Sequence, residues 1–291
     1  MPNRRDFLCN TALGVAAVAA GTKWSDVLLA NPLGKPVGLQ LYTLRDELAK
    51  DVPGTIKKVA EIGYKEVETY DFYGKSAAEF RRILQDNGLT APSGHYMSHH
   101  LKSGWEKHIE FAREVGLKYM VNAILEPPER TSLDDYKKLA ELFNKAGEQT
   151  QKAGIHYCYH NHNFEFKKYG DTTAYDYLLT ALDPKLVNFE MDTFWLTHAG
   201  HDPVEYFQKH LGRFPLLHIK DLKGKPPAST ELDDKLGLFA EVGRGTIDWK
   251  RIFAAAPQGG AKHYFVEQDY CERPPLESVK ISFEYLKNLK A

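Results

Sequence analysis

Residues 52–69, VPGTIKKVAEIGYKEVET, contain a helix pattern, a glycine and a strand pattern in that order. Apolar residues recur at helical spacing from Val52 to Ile62, and Gly63 can adopt the left-handed conformation that commonly ends a helix. The β-rich run Glu66–Thr69 then has the length of a short strand. A helix that ends at a glycine and leads into a strand indicates one βα repeat of a parallel sheet.

The same pattern recurs along the chain. Three further periodic stretches end at Gly88, Gly116 and Gly154, and each is followed within a few residues by a strand-like run. Eight runs are expected as strands: Val37–Tyr42, Glu66–Thr69, Thr90–His95, Lys118–Val121, Ile155–His160, Val187–Met191, Pro215–Ile219 and His263–Glu267. Their alternation with helices predicts an α/β fold, a single (β/α)8 TIM barrel over residues 31–291.

A doubly wound open sheet is the alternative architecture for this alternation. If it bound a nucleotide, it would usually need a glycine-rich turn after the first strand, and the segment 41–45 contains no glycine. The closed barrel is therefore favoured.

Composition narrows the class of partner. The 291 residues include 38 Lys and Arg against 39 Asp and Glu, which gives a formal net charge of −1. Such a chain lacks the basic footprint of proteins that bind nucleic acid or an anionic membrane surface. Cys9, Cys158 and Cys271 lie far apart without a CxxC spacing, so we expect free thiols.

Residues 1–30 predict a signal peptide of the twin-arginine type. Arg4 and Arg5 precede Phe7-Leu8, and a run rich in alanine, valine and glycine follows from residue 12 to residue 20. The run is too short and too weakly apolar to span a bilayer, so no stable membrane insertion is expected. An ordinary amphipathic helix is the alternative. The signal predicts a periplasmic or otherwise exported protein.

Polar side chains follow the last four predicted strands. Imidazole or carboxylate groups occur within residues 159–165, 190–192, 218–221 and 267–269. Because the carboxyl ends of barrel strands meet at one rim, these groups are expected to converge. Imidazoles and carboxylates form the nitrogen and oxygen ligand set of Mn²⁺, Zn²⁺, Fe²⁺ or Co²⁺. We predict one divalent ion, with Mn²⁺ first and Zn²⁺, Co²⁺, Fe²⁺ or Mg²⁺ as alternatives.

The order of several segments resembles the xylose isomerase-like TIM barrel superfamily, also called the sugar phosphate isomerase/epimerase family. The segments are Val37–Tyr42, Gly63–Glu68, Gly154–His160, Met191–Trp195, Leu217–Asp221, Val242–Gly245 and Phe265–Glu267. The resemblance implies a divalent ion held by a Glu of strand five, an Asp of strand six, a His of strand seven and a Glu of strand eight. Asp192, His218 and Glu267 match the last three positions.

Strand five departs from this pattern, since His160 stands where the family has its glutamate. Inosose dehydratase-like members are similar in this departure. Either His160 is the fourth ligand, which we favour, or Glu165 reaches back to supply a carboxylate.

The resemblance also implies chemistry through an enediolate, in which carboxylates remove and return a proton beside a metal-bound ketone. Glu267 is the candidate base, and His160 or Glu165 is the candidate partner on the opposite face. The leading expectation is a metal-dependent isomerase or epimerase acting on an unphosphorylated sugar, cyclitol or keto-glycoside. An inosose dehydratase-like lyase and a non-catalytic carbohydrate-binding barrel are the alternatives.

Other rim residues are expected to contact the small carbohydrate substrate. They are Tyr42, Glu68, His95, His162, Trp195 and Lys220. The alternatives are core packing for the aromatic residues, a salt bridge with a lysine for Glu68, and support of the metal ligands for His162. The connection 222–245 is long enough to cover the site. A homo-oligomer is compatible with such a barrel, although no segment indicates one.

Overall fold

The computed structural model describes residues 34–232 and 237–290, which form a closed barrel of eight parallel strands surrounded by helices. The predicted (β/α)8 barrel is thereby confirmed. The predicted signal peptide at 1–30 and Cys9 lie outside the described residues.

The barrel strands follow one another around the cylinder in chain order, and the first pairs with the last through Gly38 and Phe265. The strands are β1 Gly38–Gln40, β2 Glu66–Thr69, β3 Thr90–Tyr96, β4 Tyr119–Asn122, β5 His156–His160, β6 Val187–Asp192, β7 Leu216–Ile219 and β8 His263–Val266.

Helices cover the outside of the barrel and its rim. They are α1 Arg45–Lys50, α2 Val52–Ile62, α3 Ala77–Asp86, α4 Ser98–Lys102, α5 Trp105–Val115, α6 Leu133–Lys152, α7 Ala174–Ala181, α8 Thr193–His198, α9 Pro203–Lys209, α10 Trp249–Gly259 and α11 Pro275–Asn288. Short 3-10 turns lie at Leu41–Leu44, Pro127–Glu129 and Phe164–Phe166. The four glycines at the predicted helix ends all have positive φ, which explains why the helices stop there.

The first strand is shorter than the sequence predicts. It ends at Gln40 because the side chain of Gln40 accepts a hydrogen bond from the Tyr42 amide at 3.1 Å and caps the 3-10 turn Leu41–Leu44. Tyr42 therefore leaves the sheet and enters the rim.

The barrel interior changes from apolar to polar along the strands. A buried apolar cluster contains Tyr119, Val121, Cys158, Leu216 and Phe265. Residues two positions apart on a strand face the same side. Positions 160, 218 and 267, which follow Cys158, Leu216 and Phe265 by two residues, therefore face the same interior one step closer to the rim. The polar groups of the site therefore lie on a close-packed apolar layer.

The long connection after β7 begins and ends in a two-stranded antiparallel ribbon, Asp221–Leu222 with Phe239–Ala240. Asn163 holds part of it by donating hydrogen bonds from Nδ2 to the carbonyls of Ser229 and Glu231, at 3.1 and 2.8 Å. Leu232 from this connection lines the pocket at the rim, so the connection covers the site as expected.

Among the described residues, no helix is both long and apolar enough to cross a bilayer. Cys158 and Cys271 are free thiols, which agrees with the expectation from their spacing.

Candidate metal centre

Four side chains from the ends of β5, β6, β7 and β8 meet at the carboxyl rim of the barrel. His160, Asp192, His218 and Glu267 each direct one ligand atom to a common space. Asp192 Oδ2 lies 3.4 Å from His160 Nε2 and 3.6 Å from His218 Nδ1, and Glu267 Oε2 lies 2.8 Å from His218 Nδ1. All four residues are buried, His160 and Glu267 at 2% and 5% exposure.

Three of these atoms lack well-aligned hydrogen bonds, which is costly in a buried place. His160 Nε2, Asp192 Oδ2 and His218 Nδ1 have no well-aligned hydrogen bond in the described chain, although the Lys220 ammonium lies 3.1 Å from Asp192 Oδ2 and Glu267 Oε2 lies 2.8 Å from His218 Nδ1. A divalent ion bound by two imidazole nitrogens and two carboxylate oxygens would satisfy all three atoms. The residues present therefore fit the predicted ion.

His160 is held in the form that a metal ligand requires. Its Nδ1 donates to the Ala123 carbonyl at 2.9 Å, so the lone pair lies on Nε2 and faces the site. Burial and the neighbouring His218 lower the pKa of His160 to about 4. The imidazole is therefore neutral at physiological pH.

Asp192 is oriented by the backbone around it. Its Oδ1 accepts the Trp195 amide at 2.9 Å as the N-cap of α8, which leaves Oδ2 for the site. Burial opposes ionisation of Asp192, but the Lys220 ammonium and the two site histidines outweigh it and hold the pKa well below its usual range.

Lys220 lies beside this cluster, at the end of β7. Its ammonium is 2.7 Å from Glu267 Oε2 and 3.1 Å from Asp269 Oδ1, and it lies over the Trp195 ring at 5.5 Å. Burial opposes the charge, yet the surrounding carboxylates raise the pKa of Lys220 well above its usual value. Burial likewise opposes ionisation of Glu267, and Lys220 and His218 lower its pKa below the usual range.

A second polar layer lies deeper in the barrel. Glu68 Oε2 is 2.7 Å from His218 Nε2, and Glu190 Oε2 is 2.7 Å from His95 Nε2. Both carboxylates are fully buried. Burial and the nearby Glu68 raise the pKa of Glu190 to about 7, whereas for His95 the two carboxylates overcome burial and raise the pKa to about 9.

A cavity of about 250 Å³ opens above the cluster. Five of the six residues predicted to contact substrate line it: Tyr42, His95, His162, Trp195 and Lys220. Glu68 does not. It receives hydrogen bonds from Gln40 Nε2, Ser93 Oγ and His218, so it fixes the orientation of His218 and does not reach a substrate hydroxyl.

Glu165 is not brought into the cluster. It lies on the 3-10 turn after β5, where its carboxylate accepts the Tyr159 hydroxyl at 2.5 Å and the His162 amide at 2.9 Å. Burial raises its pKa to about 7. Of the two candidates for the fourth ligand, the geometry therefore places only His160 at the site.

Two residues at the site were not singled out from the sequence. Glu190 faces the barrel interior two positions before Asp192, and Asp269 accepts from Lys220 two positions after Glu267. Both stand at strand ends, where the sequence already indicates functional groups. The pairing partners that give them a role come from distant strands.

Residues 56–289 match the xylose isomerase-like TIM barrel family, and the chain belongs to this family. An inosose dehydratase of Lacticaseibacillus casei is 25% identical over 273 residues, which cover 82% of this chain and 91% of that protein. A solved structure titled a sugar phosphate isomerase/epimerase, from Parabacteroides distasonis, has a TM-score of 0.73 and 28% identity, covering 94% of this chain and 96% of its own.

The fold is also similar to the IOLI protein solved with a bound zinc atom, at a TM-score of 0.69 and 13% identity, covering 87% of this chain and 98% of that one. The names of the first two proteins are those of enzymes, and the third structure holds a bound zinc atom.

Proposed function

We propose that this chain is a divalent-metal-dependent lyase that removes water from an unphosphorylated keto-cyclitol or keto-sugar. The supporting observation is the convergence of His160 Nε2, Asp192 Oδ2, His218 Nδ1 and Glu267 Oε2 at the floor of the rim cavity. Three of the four atoms are buried without a well-aligned hydrogen bond in the described chain.

These four side chains would hold the ion. When bound, it would polarise a substrate ketone and lower the cost of the enolate that forms on loss of the neighbouring proton. The ketone must reach the floor of the cavity for this, and His95, Trp195 and Lys220 define the walls around that point.

Glu267 and Lys220 are placed to move the protons. The Glu267 carboxylate takes the proton from the carbon next to the ketone, and the C–H electrons form the enolate. The enolate then expels the β-hydroxyl as the carbon–oxygen bond breaks, and Lys220 protonates it to give water. Because Lys220 Nζ lies 2.7 Å from Glu267 Oε2, the protonated Glu267 can then return its proton to the lysine amine.

Elimination needs a base and an acid that can lie on the same face of the substrate, whereas epimerisation needs a proton donor on the opposite face as well. Of the two candidates for that opposite face, Glu165 is held by Tyr159 and His162, and His160 lies in the cluster that would bind the ion. The similarity to inosose dehydratases over 82% of the chain supports the same choice.

Isomerisation or epimerisation is the second candidate, because His95 also lines the cavity and could act from another wall. The 28% identity to the Parabacteroides protein titled a sugar phosphate isomerase/epimerase supports it. Both reactions begin with the same proton removal and differ in the fate of the enolate.

The cavity favours an unphosphorylated substrate. Tyr42, Tyr70 and Trp195 offer aromatic surface to the carbon face of a ring, and no described arginine lines the cavity. Lys220 is already paired with three carboxylates, which leaves it poorly placed to bind a phosphate.

Incubation of keto-cyclitols and keto-sugars with metal-loaded protein in D₂O tests the proposal. We expect an α,β-unsaturated ketone with new ultraviolet absorbance and deuterium at exchangeable α positions by NMR. Deuterium incorporation with inversion or a shifted carbonyl, and no loss of water, would favour the second candidate. Sugar binding without exchange or turnover would contradict both and favour a binding protein.

We also propose that residues 1–30 direct export through the twin-arginine route. The support is the sequence order of Arg4-Arg5, an apolar run and small residues. Replacing Arg4 and Arg5 by lysine is expected to retain the protein in the cytoplasm, measured by cell fractionation with the wild type as control. Unchanged export of the variant would contradict this route.

A further inference from the structure

We propose that the barrel holds a second divalent transition-metal ion, one layer deeper than the first, bound by Glu68, His95, Glu190 and His218. Each of these residues comes from a different strand, β2, β3, β6 and β7. The four ligand atoms lie within 4.8 Å of one another, and three of the four residues are buried while His95 is partly so.

The four atoms form a closed ring in which nitrogen and oxygen alternate. Around the ring, Glu190 Oε2 and His95 Nε2 are 2.7 Å apart, His95 Nε2 and Glu68 Oε2 are 3.2 Å, Glu68 Oε2 and His218 Nε2 are 2.7 Å, and His218 Nε2 and Glu190 Oε2 are 3.2 Å. The two 2.7 Å sides are hydrogen bonds in the chain without metal. Ligand atoms of a tetrahedral ion with bonds of about 2.1 Å are about 3.4 Å apart, so the ring would widen by less than about 1 Å to hold such an ion.

Hydrogen bonds alone leave the ring incompletely satisfied. Glu68 receives additional donors from Gln40 and Ser93, but Glu190 Oε1 is fully buried and has no partner in the described chain. A carboxylate oxygen left in this state is costly. An ion that Glu190 binds through one or both oxygens would remove that cost.

Charge balance supports the same assignment. Glu68 and Glu190 are two buried carboxylates, and the nearest cationic groups are the rings of His95 and His218. Buried carboxylates need a compensating cation or hydrogen-bond donors, and a divalent ion at the centre of the ring would contact both of them.

The ligand set identifies the class of ion. Two imidazoles with two carboxylates suit Zn²⁺, Co²⁺, Fe²⁺ or Mn²⁺, whereas Mg²⁺ and Ca²⁺ prefer oxygen ligands only. His95 lines the rim cavity, so an ion has a route from solvent to the deeper site. In the chain without metal, His218 Nε2 donates to Glu68; to hold both ions, His218 would lose that proton and bridge them as an imidazolate.

The zinc content of the full chain after equilibration with excess Zn²⁺ and removal of loose metal tests this proposal. We expect two zinc ions per wild-type chain, one in Glu190→Gln, which loses the deeper site, and one in Asp192→Asn, which loses the rim site. Glu66→Gln is the matched control, because Glu66 pairs with His263 at 2.8 Å at the opposite end of the barrel, and it should keep two.

Replacement of zinc by Co²⁺ gives a second readout. Two ions bridged by His218 should show magnetic coupling in the wild type, and His95→Gln should remove the coupling together with one cobalt. One ion per wild-type chain, with the same content in Glu190→Gln, would show that the ring is a hydrogen-bonded network without metal. That result would leave the proposed dehydration intact, because the rim ion alone supports it.

Discussion

At the scale of single residues, the site depends on which atom of each side chain remains free to bind the ion. The Ala123 carbonyl occupies His160 Nδ1, the Trp195 amide occupies Asp192 Oδ1, and Glu68 occupies His218 Nε2. Each contact directs the opposite atom to the rim. The supporting groups are therefore as important for the geometry as the ligands are.

Glu267→Gln tests the proposed base. The amide keeps an oxygen for the ion but cannot accept a proton, so we expect metal to be largely retained while kcat falls by about 10²- to 10⁴-fold. Metal analysis and steady-state kinetics measure the two effects, with Glu66→Gln as control. A fully active variant would rule out the base role.

Glu165→Gln tests the buried carboxyl behind β5. Its pKa of about 7 lies above the ordinary value of 4.5, so ionisation in the folded state is unfavourable and its contribution to stability falls as pH rises from 4.5 to 7. The loss amounts to about 3 kcal/mol once the pH exceeds 7.

We therefore expect the free energy of unfolding of Glu165→Gln, relative to the wild type, to rise by that amount between pH 4.5 and 7. Denaturant titrations at several pH values measure it. If the free energies of unfolding of the two proteins changed with pH in parallel, the raised pKa of Glu165 would be contradicted. Tyr159→Phe, which removes a donor to this carboxylate, should increase the loss of stability between pH 4.5 and 7 relative to the wild type.

At the scale of elements, Asp221 organises the connection that follows β7. Its carboxylate accepts the amides of Gly243, Gly245 and Ile247 and the Trp249 indole at 2.8 to 3.1 Å. A side chain at Gly245 would clash, because a Cβ there would lie 2.2 Å from Asp221 Oδ1. The Val242–Gly245 segment is thus a structural turn around a carboxylate.

Asp221→Asn tests this turn. In asparagine, an NH2 donor replaces one of the two acceptor oxygens and faces the backbone and indole N–H groups. We therefore expect the free energy of unfolding to fall by about 1–3 kcal/mol. Amide hydrogen exchange should accelerate at 243–247 and remain unchanged in the barrel strands. Unchanged exchange at Gly243 and Gly245 would show that the turn does not depend on the carboxylate.

At the scale of the whole molecule, the barrel brings together groups that are far apart in the chain. Glu68 and His218 are 150 residues apart in sequence and 2.7 Å apart in space. A metal bound at such a place ties distant strands to one another, so its binding energy contributes to the stability of the whole barrel.

Zinc added at 100 times its dissociation constant should stabilise the protein by about 2.7 kcal/mol per rim site. This corresponds to a rise in Tm of roughly 5–10 °C for a chain of this size. Thermal unfolding with and without a chelator measures it. Asp192→Asn, which keeps the helix cap, should show a smaller zinc-dependent rise in Tm than the wild type. An equal rise in the two proteins would show that zinc binds elsewhere.

The sequence by itself determined the barrel, because each βα repeat carries local signals: apolar periodicity, a glycine that ends the helix, and a short strand. These signals depend on neighbours within a few residues: the structure has the helix 52–62 at its predicted bounds, and the helix 105–115 ends at Gly116 as predicted. The rim position of residues 160, 192, 218 and 267 followed from strand order alone.

Tertiary structure decided which polar groups face one another. The sequence placed Glu68 and Glu165 among the groups that could reach the substrate or the ion. In the structure, Glu68 instead accepts hydrogen bonds from Gln40, Ser93 and His218. Glu165 accepts them from Tyr159 and His162. The pairing of Glu190 with His95 could not be predicted from the sequence either, since the two residues are 95 positions apart. A hydrogen bond depends on angstrom-scale distances between distant strands, and these distances are set only when the closed barrel packs.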